Sequence, residues 1–134
     1  MQITAKISYA LCFIGLLLAG GCGGKDISAE SPASNAIPVG IKVVFIEIGS
    51  VNCVPCQMMQ PVMKEIEQEY GNQVKVDYYD VWTPEGKPYG EKYNIRVIPT
   101  HVFLDAHGKE YFRHEGFFPK DELVAILKQK GGVK

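Results

Sequence analysis

Scarcity in this chain closes off several classes of function. It has no cationic excess: 14 Lys and Arg stand against 15 Asp and Glu, a formal net charge of −1. A nucleic-acid binder would need a clustered basic surface. The one Lys-rich stretch, Lys128, Lys130 and Lys134, reads as a solvated helix end, where cations complement the dipole. Histidines are few, and His101, His107 and His114 lie scattered through one hairpin pattern. They supply no second compact ligand pair, so the Cys-x-x-Cys at 53–56 remains half of a zinc site and no metal is expected. Met58, Met59 and Met63 recur at helical spacing and read as packing against a sheet, not as a copper cluster. Long apolar runs are also missing: Ile7 to Gly20 falls short of the roughly 20 residues a spanning helix requires. No internal repeat is present.

What is there begins with a leader. One basic residue, Lys6, precedes the short apolar run, and small residues follow it, the pattern of an export signal over residues 1–21. The stretch Leu18-Ala19-Gly20-Gly21-Cys22 resembles a lipoprotein signal, in which the cysteine becomes the lipidated N-terminus. It departs from that pattern at Ala19, where Leu is usual. The alternative is ordinary cleavage that leaves Cys22 as a loose thiol. Cys12 lies in the apolar run and would leave with it, so four cysteines reduce to Cys22 and the pair Cys53 and Cys56. One pair cannot build a multi-disulfide scaffold. Export would place it outside the reducing cytoplasm, where keeping it reduced needs an electron supply. The expected localisation is the periplasm or cell envelope, anchored to the membrane through Cys22.

Residues 22–37 are small, polar and Pro-containing and read as a flexible tether. Residues 38–134 form the folded domain. Ile41 to Ile48 is a nearly continuous β-branched run, which suits a strand covered on both faces. From Val54 to Tyr70 the period changes, with Met58, Val62, Ile66 and Tyr70, and Met59 and Met63 beside them, marking an apolar helical stripe. Pro61 lies inside this helix and should kink it; Gly71-Asn72 should stop it. Val74 to Val81 returns to strand character. Pro88 to Tyr93 reads as a short helix, with Asn94 capping its end. His101–Leu104 and Lys109–Arg113 flank a loop holding Gly108, a hairpin pattern. Pro119 opens a last helix that Gly131-Gly132 ends. The order is β-α-β-α-β-β-α. Trp82, Tyr78 and Tyr79 read as core or rim packing. Phe117 and Phe118 read as a partner-facing rim or as a staple of the last helix.

Cys53 falls at a strand-to-helix junction, and Cys56 lies one turn inside. A helix N-terminus presents unpaired N–H groups and partial positive charge. Both favour thiolate over thiol, so Cys53 should be the attacking sulfur. Cys56 can then attack the mixed disulfide and release the substrate as a dithiol.

On these residues the domain resembles thioredoxin. The shared pieces are the apolar strand, Cys53-Val54-Pro55-Cys56 with Pro61 five residues on, Ile98-Pro99-Thr100, the hairpin, and Gly116 before the final helix. The resemblance implies an α/β thioredoxin-like fold with a central mixed sheet of about four strands flanked by helices. It implies a cis Ile98-Pro99 bond against the dithiol, and backbone near residue 98 pairing with an extended substrate. Asn52, Val54, Pro55, Ile98, Thr100 and Gly116 would then line the groove. Asn52 stands where the family usually has Trp, which alters the recognition surface. Glu47 stands where the family has a buried Asp that helps deprotonate the second cysteine, and it could act as a general base; the competing reading is a strand-edge carboxylate facing solvent. Val76 replaces the lysine beside that acid. The first strand and helix of a full thioredoxin are not matched.

The expected function is thiol:disulfide oxidoreduction on disulfide-bearing proteins, carried by Cys53, Cys56, Glu47 and Pro99. It needs no cofactor beyond the redox-active cysteine pair. Related exported systems imply a dithiol electron donor, such as a membrane reductase, and a monomer is expected. Strongly oxidising relatives carry His between the cysteines. Val54-Pro55 lacks it, which places the potential toward the reducing end of a range from roughly −270 to about −120 mV. The rival readings are a non-catalytic docking or chaperone module on the same fold and, behind it, a metal-binding protein that uses the Cys-x-x-Cys as ligands.

Overall fold

The computed structural model describes residues 37–134. The expected leader, Cys22 and all but the last residue of the tether lie outside the described residues. Seven elements follow in the order β1 (Val43–Gly49), α1 (Val54–Tyr70), β2 (Val74–Asp80), α2 (Lys87–Lys92), β3 (Thr100–Asp105), β4 (Glu110–Glu115) and α3 (Lys120–Gln129). This is the order read from the sequence, with ends that coincide or are displaced by no more than two residues, as strand and helix ends commonly are.

The four strands form one mixed sheet in the order β2-β1-β3-β4. β1 runs parallel to β2 and antiparallel to β3, and β3 pairs antiparallel with β4. β1 therefore has a neighbour on each side and layers on both faces. All seven of its residues are buried, which is why its sequence is almost unbroken in apolar character. The edge strand β4 carries Glu110, Arg113 and Glu115 and is less buried, in keeping with how exposed sheet edges resist further pairing.

Side chains alternate across β1. Val43 and Phe45 enter a core with Met59, Met63 and Ile66 of α1, Leu123 and Leu127 of α3, and Phe103 and Phe118. Phe45 stacks on Phe103 with ring centroids 4.8 Å apart. Val44, Ile46 and Ile48 point the other way, into a smaller core with Val102 and the partly buried Tyr79, Tyr93 and Ile95. Tyr89 of α2 stacks on Tyr79.

The buried side of α1 corrects the expected stripe at Met58 alone, since Val62 and Tyr70 pack against the larger core. Cys56, Met59, Met63 and Ile66 are buried, and Met58 is 52% exposed. Steps of three and four residues follow the 3.6-residue turn, whereas a strict four-residue step drifts off the face. Met58 thus does not pack α1 on the sheet. α1 continues through Pro61. Trp82 stays at the rim, and of the two phenylalanines Phe118 is core while Phe117 is exposed.

Candidate active site

The site lies where β1 ends and α1 begins. Cys53 is the N-cap of α1, with extended backbone, and the first turn holds no acidic residue to offset the positive helix end. Its carbonyl accepts the first helical hydrogen bond from Gln57 N–H at 2.9 Å. Cys53 is half-buried and Cys56 is buried, so the sulfurs differ in access as their positions imply. They are joined as a disulfide, with Cα atoms 5.2 Å apart, inside the range such a bridge spans. The loop before them is tied down: Asp80 accepts from Val51 N–H at 3.1 Å and from Trp82 N–H at 2.9 Å. Those two bonds hold the Asp80 carboxyl below its ordinary range.

Several sequence-predicted residues meet here. The Ile98-Pro99 bond is cis, and the Ile98 carbonyl oxygen lies 3.9 Å from the Cys53 sulfur. Pro99 is buried; its carbonyl accepts from Gly116 N–H at 2.8 Å, which joins the proline step to the segment before α3. Gly116 has φ 88°, a left-handed conformation that suits glycine. Thr100 is buried and donates its hydroxyl to the Val97 carbonyl at 2.7 Å. Val54 is exposed, as is Asn52, whose backbone N–H reaches the Ser50 hydroxyl at 3.3 Å.

Glu47 is buried, with its side chain on the helix-covered face. A Cβ placed on Gly49 would lie 3.0 Å from the Cys56 sulfur and 3.3 Å from Glu47 Oε1. The sulfur and the carboxyl oxygen can therefore be no farther apart than those two distances laid end to end. Glycine at position 49 leaves the space between them open. Desolvation pushes the Glu47 carboxyl up to about 8. Val76, expected beside this acid, packs against the larger core.

Sequence reading missed two parts. His101, read from the sequence only as one of the scattered histidines of the hairpin, is Glu47's register partner on β3 and is fully buried; the signal was its place two residues after Pro99 in an alternating strand. The second part is Val97, which is exposed like the expected rim and groove residues Trp82, Phe117 and Val54 and like Val51 and Met58. Trp82 and Val97 line a shallow pocket with Ile95, Arg96 and Ile98. Among the described residues no group of three or more His, Cys, Asp or Glu side chains could hold a metal ion.

An accessible sulfur bonded to a shielded one at a helix start defines a site for thiol–disulfide exchange. The Thioredoxin-like domain family matches residues 34–131. Thioredoxin of Bacillus subtilis is 32% identical over 65% of this chain and 81% of its own length. Thioredoxin 1 of Synechococcus elongatus is 38% identical over 63% of this chain and 76% of its own. A longer relative, the chloroplastic thioredoxin Y of Oryza sativa subsp. japonica, is matched over half its length at 29% identity. The crystal structure of Malassezia sympodialis thioredoxin superposes with a TM-score of 0.58 at 30% identity, covering 69% of this chain and 77% of that one.

The chain belongs to the thioredoxin-like family, and its cysteine pair makes it a thiol:disulfide oxidoreductase. Members of the family generally act on disulfide-bearing proteins with their own cysteine pair and without a cofactor.

Proposed function

We propose that this protein reduces or exchanges protein disulfides outside the cytoplasm, held to a membrane through lipidated Cys22. The observation that carries the chemistry is the Cys53–Cys56 pair itself, one sulfur half-buried at the tip of α1 and the other 1% exposed. Once the pair is reduced, Cys53 is the thiolate at the helix terminus. It attacks a substrate disulfide, forming the Cys53–substrate bond and expelling the substrate's second sulfur as thiolate. Cys56 then attacks Cys53; the mixed disulfide breaks, the electron pair leaves on substrate sulfur, and Cys53–Cys56 is restored as a disulfide. An extended substrate segment pairs with backbone at Ile98, and Pro99, Thr100 and Gly116 shape the groove floor. Glu47 takes the Cys56 proton.

Electrons return from a dithiol protein, such as a membrane-embedded reductase. The absence of an imidazole between the cysteines supports a reducing potential, which equilibration with glutathione measures. The sequence around Cys22 supports lipidation, which mass spectrometry of the membrane fraction checks against Cys22→Ser.

The central test is dithiothreitol-driven insulin reduction. The wild type should exceed the uncatalysed rate, and Cys53→Ser should fall back to it. Equal rates would instead favour the docking or chaperone reading, in which the exposed apolar rim binds partners without turnover.

A further inference from the structure

β1 alternation and sheet register place three polar side chains together on the helix-covered face. Glu47 pairs in register with His101 of β3 and with Tyr78 of β2. Glu47 and His101 are each 0% exposed. Neither carboxyl oxygen and neither ring nitrogen has a hydrogen-bond partner among the described residues. His101 Nε2 lies 3.9 Å from Glu47 Oε2, about 1 Å beyond a hydrogen bond. Burying two polar groups unpaired is unfavourable, and such exceptions in a folded protein call for a specific reason. Here the two lie beside each other, and the Cys56 sulfur and Glu47 Oε1 border one open space, 3.0 and 3.3 Å from where a Cβ on Gly49 would stand.

We propose that His101 is a positioning residue for the exchange reaction: its neutral ring donates the Nε2 proton to Glu47 and holds that carboxylate as the acceptor of the Cys56 proton. The proposal rests on the Cys53–Cys56 exchange reading and adds to it the group that orients the acceptor. In the step, the Cys56 S–H bond breaks and its proton moves to Glu47. The electron pair stays on the Cys56 sulfur, which attacks Cys53. The Cys53–substrate bond breaks, and the substrate leaves as thiolate. The cysteine pair is oxidised by two electrons and the substrate disulfide is reduced by two. When a donor dithiol reduces Cys53–Cys56 again, the proton returns from Glu47 to Cys56.

The surroundings suit this division of labour. Desolvation by burial, then the neighbouring His114 charge, push His101 down to about 3 against a weaker upward pull from the His114 backbone, while burial pushes Glu47 up to about 8. The ring therefore stays neutral throughout the range in which the carboxyl gains and loses its proton. The titratable groups around the pair are Cys56 from α1, Tyr78 from β2 and His114 from β4. The Tyr78 hydroxyl is itself without a hydrogen-bond partner. The ring centroid of His114 stands 6.0 Å from that of His101. Phe45 and Phe118 close the remaining sides with centroids 5.8 and 6.0 Å from the His101 ring.

Carbon-13 NMR of the Glu47 carboxyl in the reduced full chain tests this, with the signal assigned by its loss in Glu47→Gln. His101→Leu keeps an apolar core and should fold. It should raise the Glu47 midpoint by one pH unit or more and slow release of substrate from a preformed Cys53 mixed disulfide about tenfold at pH 7. His101→Gln retains an N–H donor and should recover most of both effects, whereas Tyr78→Phe should leave the midpoint in place. An unchanged midpoint in His101→Leu overturns the proposal, as does a full shift produced by Tyr78→Phe instead. The readouts separate the two levels: a wild type with no dithiol turnover removes the exchange reading and this role with it. An active wild type whose Glu47 titrates alike with and without His101 removes the His101 role alone.

Discussion

The two faces of β1 differ in one side chain, and that difference separates scaffold from chemistry. Val44, Ile46 and Ile48 give one face an apolar surface along its whole length. Val43 and Phe45 begin the other face in the same way, but its third position is Glu47, which shares the space over Gly49 with the Cys56 sulfur and stands opposite His101. Both faces are equally buried. Apolar burial stabilises at roughly 25 cal/mol per Å², and an unpaired carboxyl works against that gain. The strand thus gives up stability at the end where the dithiol sits.

Large-to-small changes on the two faces break this comparison hardest. Phe45→Ala should cost about 3–5 kcal/mol, and Ile46→Ala about 2–5 kcal/mol, read by urea unfolding of the reduced protein. Only Phe45 touches the His101 side, with ring centroids 5.8 Å apart, so only Phe45→Ala should also move the pH profile of exchange. An equal movement in Ile46→Ala would mean the faces are not chemically separate.

The next effect is a pH dependence with opposite signs from the two buried groups. Glu47 goes from 4.5 unfolded to about 8 folded. Between those values the folded chain holds a proton that the unfolded chain has lost, so stability falls as pH rises. His101 goes from 6.5 unfolded to about 3 folded. Between those values the unfolded chain holds the extra proton, so stability falls as pH drops. The two slopes cancel between 4.5 and 6.5. Their joint contribution should be flat there and should decline by about 2 kcal/mol on each side, toward pH 8 and toward pH 3. Subtracting the profile of Glu47→Gln should isolate the alkaline decline, and subtracting that of His101→Leu should isolate the acid one below pH 6.5; at higher pH the second difference also carries the shifted Glu47 midpoint. A wild-type profile that overlays both variants would contradict the buried-pair account.

The sequence made some of this legible. Glu47 stood out because it interrupts the apolar run of a central strand, and the dithiol and Ile98-Pro99-Thr100 stood out as motifs. The fold followed from the change of period between strands and helices together with the hairpin loop. His101 was not legible as Glu47's neighbour. That adjacency needs β3 inserted beside β1 in the correct antiparallel register, and strand alternation fixes a face without fixing a partner. Val97 was missed for a similar reason: it lies well apart from Trp82 along the chain, and the two meet only in the folded loops.

α1 supplies the smallest effect and the sharpest contrast between neighbours. Met58 and Met59 are adjacent, and only Met59 is core; its sulfur accepts from Phe118 N–H at 3.3 Å. Counting apolar residues in steps of four placed Met58 on the inner face, whereas the helical turn carries it out to 52% exposure. Removing an exposed side chain takes little area out of a packed interior and leaves no cavity. Met58→Ala should therefore change the unfolding free energy by less than about 0.5 kcal/mol. A loss of about 2–5 kcal/mol, the size expected of a buried methionine, would show that α1 is rotated on the sheet. That rotation would also carry Cys56 away from Glu47, because Cys56, Met59 and Met63 share the inner face. A chemically silent methionine thus reports on whether the acid sits below the sulfur.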